Sequence, residues 1–366
     1  MQQALSKQIG QLLVCGFRGT TLPSSVAIAL RESTIGGVIL FSRNIESTEQ
    51  LIELNRAIYS LTRTIAPFVT IDHEGGRVDR LKSPFTHFPP CLIYDGFEES
   101  TRLPRIREAA RIMGEELRAT GFNVDWAPVV DIQSNPANPV IGDRAYGTTA
   151  TRVGEAIEAA IQGFASAAIG CCAKHFPGHG DTHLDSHLAL PIVDQPLNEL
   201  LIRELVPFRR AIRQQVPFIM TAHVVYRAID PDRPATLSRQ WLTDILRNDL
   251  RFNGVIVSDD LDMKAITDHD GVEEAAVMAV AAGADLLLIC HSFEAHVAVR
   301  EALLKAVSDR RIPVERIESA YDRVIAAKRE YCAAAPDLGS WRQIVGSDEN
   351  RQFAATLTIN GAESAT

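Results

Sequence analysis

The sequence predicts a (β/α)₈ barrel, and three observations carry that expectation. Short apolar runs rich in β-branched residues recur along the chain, segments of helical periodicity separate them, and polar motifs fall at or just after the ends of the runs. The runs occupy residues 12–17, 37–41, 67–72, 122–131, 170–176, 217–223, 254–260 and 284–290. Near-continuous apolar strands alternating with helices indicate a parallel sheet covered on both faces. Eight such units in a chain of 366 residues fit a closed barrel with some enlarged loops. A doubly wound open sheet is the structural rival, but no run is followed by the Gly-rich GxGxxG turn that marks such folds.

The segments between the runs are amphipathic. In 105–120, Ile106, Ala110, Met113 and Leu117 recur at three- and four-residue intervals and share one helical face. Met113 on that stripe reads as core filling. Segments 153–168 and 272–282 have the same character. Residues 73–100 and 131–150 follow strands and contain several Gly and Pro, as active-site loops of a barrel would. No Pro- or Ser-rich linker divides the chain. Residues 1–335 are therefore expected to form one catalytic barrel, and 336–366, where periodicity fades, an appendage or partly ordered tail.

Composition narrows the function classes. A hydrophobic share of 46% supports a large core and excludes wholesale disorder. A net charge of −9 with no dense Lys/Arg run argues against nucleic-acid binding. The apolar runs are of strand length, too short to span a membrane, and the amino terminus lacks the basic stretch and long apolar core of a secretory signal. Cys15, Cys91, Cys171, Cys172, Cys290 and Cys332 show no zinc-type spacing, and a bond between the adjacent Cys171 and Cys172 would be strained. The expectation is a soluble, cytoplasmic protein with reduced thiols, no cofactor, no nucleic-acid or membrane partner and no obligate protein partner.

The densest polar cluster is KHFPGHGDTHLDSH at 174–187. Its histidines, His175, His179, His183 and His187, stand four residues apart, a spacing that on a helix would align metal ligands. Pro177, Gly178 and Gly180 oppose a helix there, so the segment is expected to be a loop with 177–180 as its mobile part. Three readings compete. A metal site would gather several histidines with Asp181 or Asp185; an inert loop would leave them solvated; a catalytic loop would pair Asp185 with His187. In the last case the carboxylate accepts an imidazole N–H, fixes the tautomer and raises the ring's proton affinity towards that of a general acid near neutral pH.

Four further clusters end strands. In GVIVSDDLDM (254–263), Asp259 or Asp260 can face the barrel mouth as an ionised nucleophile while the other caps the following helix; both could be caps, or Asp259, Asp260 and Asp262 could hold a hard cation. In IDHEGGRVDR (71–80), Asp72 is placed to accept hydrogen bonds from a polyol, and Arg77 and Arg80 are either donors or neutralise Glu74 and Asp79. NPVIGDR (138–144) offers Arg144, and MTAH (220–223) ends on His223, a lone histidine more readily structural than catalytic.

Taken in order, GGVILFSRN, IDHEGGRVDR, NPVIGDRAYG, KHFPGHGDTHLDSH, MTAHV and GVIVSDDLDM resemble glycoside hydrolase family 3, over about residues 8–330. Within it they are most similar to the single-domain bacterial β-N-acetylglucosaminidases of cytoplasmic peptidoglycan recycling. The resemblance implies a (β/α)₈ barrel and a retaining mechanism on terminal β-linked N-acetylglucosamine, with muropeptide fragments as substrate. It implies Asp259 as nucleophile, His187 as general acid/base and Asp185 as its partner. Asp72, Arg80, Arg144, Lys174 and His175 match sugar-binding positions, and His223 a position near the site. Departures are His73 where Gln is common, Asp262 where Ser is common, and His291 where Asn is usual. A phosphorylase of the same family remains open, because an imidazole does not repel phosphate as a carboxylate would. So does a zinc-dependent hydrolase using the His175/His179/His183/His187 series. A sugar-binding protein without activity is disfavoured by the competent side chains at every matched catalytic position.

Overall fold

Each predicted run supplies one strand of a closed barrel in the computed structural model, which describes residues 2–61, 65–182, 190–268, 271–332 and 337–363. The strands are β1 (Leu13–Gly16), β2 (Gly37–Leu40), β3 (Phe68–Ile71), β4 (Val124–Asp125), β5 (Gly170–Phe176), β6 (Phe218–Thr221), β7 (Val255–Asp260) and β8 (Leu286–Ile289). Chain neighbours pair in parallel, and β8 closes on β1 through Leu13↔Leu287, Val14↔Leu288 and Cys15↔Ile289. The open-sheet rival is thereby excluded. Helices separate the strands, so both faces of each strand are dry, and this is why the runs carry little polar alternation.

Phe68, Trp126 and Phe218 meet edge to face inside the barrel, with ring centroids 5.7 and 5.5 Å from Phe218. Trp126 also donates to Thr70 Oγ1 at 3.0 Å, which satisfies the one polar atom that so large a buried ring brings with it. The six cysteines are buried free thiols, and burial pushes Cys91 and Cys332 up to about 12. No helix among the described residues is long and apolar enough to cross a membrane.

Two elements differ from expectation. The run 122–131 pairs as a regular strand only at Val124–Asp125. Asp125 sits opposite Cys171 but Val129 opposite Lys174, so this segment carries one more residue than β5 over the same span, and Pro128 has no N–H to give. The helix expected over 105–120 begins earlier, as Glu99–Ala119, with Pro104 inside it. Its face of Ile106, Ala110, Met113 and Leu117 is buried as predicted.

The appendage after the barrel takes the form of a short helix, Trp341–Ile344, and a longer one, Asp348–Glu363. They dock through Glu116, whose carboxylate accepts from Gly346 N (2.9 Å) and Asn350 Nδ2 (3.0 Å) on this side. On the other side it accepts from Thr86 N (2.9 Å) and Thr86 Oγ1 (2.6 Å) of the loop after β3. One buried carboxylate thus ties the carboxyl-terminal helices to the loop that carries Asp72 to Arg80.

Candidate active site

Local irregularities in two strands fix where the polar side chains point. Against β6, Lys174 pairs with Met220 and Phe176 with Thr221, so β5 holds one extra residue at His175. Against β8, Val257 pairs with Leu286 and Asp260 with Leu288, so β7 holds one extra residue between them. A bulge breaks strict alternation and re-aims neighbouring side chains. Both fall inside polar motifs at the carboxyl end of the barrel.

At the first bulge, Lys174 and His175 go separate ways. Lys174 Nζ donates to Asp72 Oδ1 (2.7 Å) and Glu74 Oε1 (2.6 Å). Arg144 grips the same Glu74 with two donors, Nε and Nη2, each at 2.8 Å. Burial alone would favour neutral forms here, yet the opposite charges prevail. Glu74 lies below the usual carboxylate range because Arg144 and Lys174 outweigh its desolvation, and Asp72 and Glu74 hold Lys174 above the usual lysine range. His175 instead turns its Nδ1 to Asp131 Oδ2 at 2.7 Å.

Beyond the second bulge, Asp260 Oδ1 accepts backbone N–H groups of Asp262 and Cys290, each at 3.0 Å. Asp262 Oδ2 accepts those of His291 (2.8 Å) and Ser292 (2.9 Å). Both carboxylates therefore cap turns, and among the described residues no cluster could hold a metal ion. Burial, with the neighbouring Asp262 and Asp259 charges, pushes Asp260 up to about 7. Asp259 is half-buried, and one of its oxygens accepts the Asp260 N–H at 2.8 Å. A cavity of about 260 Å³ is lined by Asp259, Asp260, Asp262, Asp72, Arg80, Phe41 and His291. The Nε of Arg80 is itself buried and has no hydrogen-bond partner among the described residues.

His223 has no exposure at all, with Nδ1 on Thr236 Oγ1 (2.8 Å) and Nε2 on the Asp260 carbonyl (2.9 Å). Because a carbonyl only accepts, Nε2 carries a proton. His223 thus holds the backbone at the end of β7.

The loop after β5 departs from expectation in its first part. Asp185 and His187, together with His183, lie outside the described residues. Residues 177–180, expected to be mobile, are buried and bonded. Asp131 Oδ1 accepts His179 N at 2.6 Å, and Asn138 Nδ2 donates to the His179 and Gly180 carbonyls at 2.8 and 3.0 Å. The glycines permit a tight path rather than looseness: Gly178 has φ +132°, and a Cβ there would lie 3.0 Å from Glu204 Cβ. His179 rests its Nδ1 on Thr182 Oγ1 (2.9 Å), and burial lowers it to about 4, so it is neutral near pH 7.

Arg77 and Arg80 do not neutralise Glu74. Arg77 Nε meets Asp143 at 3.3 Å and Arg77 Nη2 donates to the Ile141 carbonyl at 3.0 Å, while Asp79 pairs with His87 at 2.6 Å. Sequence reasoning passed over Glu74 as a network centre, Asp131 and Asn138. Asp131 ends the run 122–131, and the same strand-end signal that picked out Asp72 and Asp259 applies to it.

The chain is similar to known proteins over most of its length. Residues 4–327 match the glycosyl hydrolase family 3 N terminal domain. A β-hexosaminidase from Idiomarina loihiensis is 38% identical over 295 residues, covering 80% of this chain and 88% of its own. The structure of a glycoside hydrolase family 3 β-N-acetylglucosaminidase from Paenibacillus sp. str. FPU-7 superposes with a TM-score of 0.91 at 38% identity, over 98% of this chain and 68% of that one. NagZ from Neisseria gonorrhoeae, solved with N-trifluoroacetyl-D-glucosamine, gives 0.78 at 30% identity, over 96% and 98%.

Proposed function

The chain belongs to glycosyl hydrolase family 3, and from that premise we propose that Asp259 is the nucleophile of a retaining reaction on terminal β-linked N-acetylglucosamine. The protein is a glycoside hydrolase of the β-N-acetylhexosaminidase kind. In the proposed reaction Asp259 attacks the anomeric carbon and displaces the aglycone oxygen, forming a covalent glycosyl ester. His187, oriented by Asp185, protonates that oxygen and then removes a proton from the incoming water. Asp72 and Arg80 bind the sugar in the cavity. Lys174 and Arg144 fix Asp72 and Glu74, and His175 is held by Asp131. The substrates are peptidoglycan fragments, N-acetylglucosaminyl-1,6-anhydro-N-acetylmuramic acid with or without its peptide, and the setting is the cytoplasm.

The observation that carries the reading is the shared cavity. Asp259, anchored by a backbone N–H, lines the same space of about 260 Å³ as Asp72 and Arg80. That volume lies near the lower end of small-ligand clefts, about 300 Å³, which suits one sugar ring rather than a chain. Six free buried thiols accord with a reducing compartment.

The test is release of nitrophenol from p-nitrophenyl N-acetyl-β-glucosaminide, with and without EDTA, followed by labelling with a mechanism-based fluorosugar. Chelator-insensitive turnover with the label on Asp259 is expected. A label elsewhere removes Asp259 from the role. Turnover lost to EDTA and restored by zinc returns the histidine series as ligands, and product formation that requires orthophosphate identifies a phosphorylase.

A further inference from the structure

The chain leaves β5 along 177–182 and returns at Ile192–Val193, which pairs with Val225–Tyr226. The outgoing limb is held from outside: Asn135 Nδ2 donates to the Thr182 carbonyl at 3.1 Å, and Asn138 Nδ2 donates to Thr182 Oγ1 at 3.1 Å. Tyr226 donates its hydroxyl to the Gly178 carbonyl. The returning limb is held by Val225 N on the Pro191 carbonyl (2.9 Å) and Arg227 N on the Val193 carbonyl (3.1 Å).

The Arg203 side chain joins one limb to the other. Arg203, at the end of the short helix Leu197–Ile202, donates through Nη2 both to Asp181 Oδ2 (2.8 Å) and to Gln195 Oε1 (2.5 Å). Its Nε donates to Glu204 Oε1 at 2.7 Å, and Glu204 is itself buried beneath Gly178. The planar guanidinium is therefore oriented by a buried carboxylate and spends its outward nitrogen on two positions fourteen residues apart in sequence. A lysine could carry the charge but not that fixed fork.

We propose that Arg203 is a positioning residue for proton transfer: by bridging Asp181 and Gln195 it fixes the separation of the two anchor points between which the chain must present His187. This rests on the assignment of His187 as general acid/base. Misplacing such a group by about 1 Å costs on the order of 10²-fold, and the loss falls on the steps that need a proton moved.

The experiment compares Arg203→Met with the parent on an aryl glycoside whose phenol leaves without protonation and on N,N′-diacetylchitobiose, whose leaving sugar needs it. The expected result is a kcat/KM loss of roughly 10–100-fold on the disaccharide and less than about 3-fold on the aryl glycoside. Azide should also raise kcat on the aryl glycoside. It displaces the Asp259 carboxylate from the anomeric carbon, forms a glycosyl azide and requires no general base. Arg203→Lys should recover only part of the loss.

Equal losses on both substrates, or no response to azide, overturn the proposal, because a merely structural role moves both substrates alike. His187→Ala separates this failure from failure of the underlying assignment. If His187→Ala shows the substrate split and azide rescue but Arg203→Met does not, only the bridge is wrong; if His187→Ala shows neither, the acid/base assignment falls. Should Arg203→Met not fold, Gln195→Met and Asp181→Asn each remove one arm of the bridge and must reproduce the split.

Discussion

Both ends of the barrel bury a cluster of charge, and the two are built to different ends. At the carboxyl end, Lys174 and Arg144 meet Asp72 and Glu74, and Asp72 remains partly exposed to the cavity beside Asp259. At the amino end, Asp285, with no exposure, accepts from Arg247 Nη2 (2.6 Å), Arg316 Nη2 (3.0 Å) and Arg323 Nη1 (3.3 Å). It also accepts the Ile256 N–H at 3.0 Å, which ties β7, β8 and the helix Val314–Tyr331 together. The first cluster is closed on the protein side and open on the other; the second is closed on every side. A hollow larger than the mouth cavity, about 780 Å³ and lined by Lys7, Arg31 and Lys328, also lies at the amino end, away from every strand-end carboxylate at the mouth. Size does not mark the site; polar groups converging on a cavity do. In a (β/α)₈ barrel, the carboxyl face carries chemistry and the amino face stability.

That contrast breaks or stands on measurement. Asp259→Ala is expected to lower kcat/KM by on the order of 10⁴-fold or more with little change in melting temperature, since its carboxylate is only half-buried. A loss of fold instead of activity would erase the distinction. Asp285→Asn should do the reverse: a destabilisation of about 3–5 kcal/mol in chemical denaturation, because three arginines lose their buried counter-charge, with kcat/KM of the folded enzyme within about twofold of the parent. Lys174→Met tests the mouth cluster between these extremes. It should cost about 10²-fold in kcat/KM and on the order of 3 kcal/mol in stability, since Asp72 and Glu74 lose a shared cation.

The pH response sharpens the comparison further. Asp260 has a folded value raised to about 7, so the native state holds a proton that the unfolded chain releases near 4. Its contribution therefore favours folding below about 4, declines as pH rises to 7, and is flat above. Asp260→Asn removes that decline: relative to the parent, its stability should gain on the order of 1–3 kcal/mol between pH 4 and 7, read from melting curves. A difference independent of pH would mean that Asp260 titrates normally. The smallest effect is expected at the docked carboxyl-terminal helices. Asn350→Ala should cost about 1 kcal/mol by removing one donor from Glu116, with kinetics unchanged.

The fold was legible because its signal is local. A strand covered on both faces must be apolar throughout, so the eight runs mark the eight strands to within a residue or two, β4 excepted. At β4 the local signal misleads: residues 126–131 are as apolar and buried as a strand, but Pro128 and the extra residue opposite β5 prevent regular pairing. The helices after residue 336 carry little periodic signal: Trp341, Val345, Ala354 and Leu357 reach the core singly, and their docking relies on a distant glutamate, Glu116.

The sequence by itself determined the barrel, the strand ends that bear polar groups, and the residue types a glycosidase needs: these depend on periodicity, on turn chemistry and on motifs a few residues long. The tertiary structure alone decided the partners. Nothing near Glu74 in sequence says that it will be shared by Arg144 and Lys174, seventy and a hundred positions away. Nor does the lone strand-end His223 announce that it holds the Asp260 carbonyl, or Arg203 that it spans Asp181 and Gln195. Charge pairs and buried hydrogen bonds act over a few ångströms, and which groups come that close is fixed by closure of the barrel, not by their order along the chain.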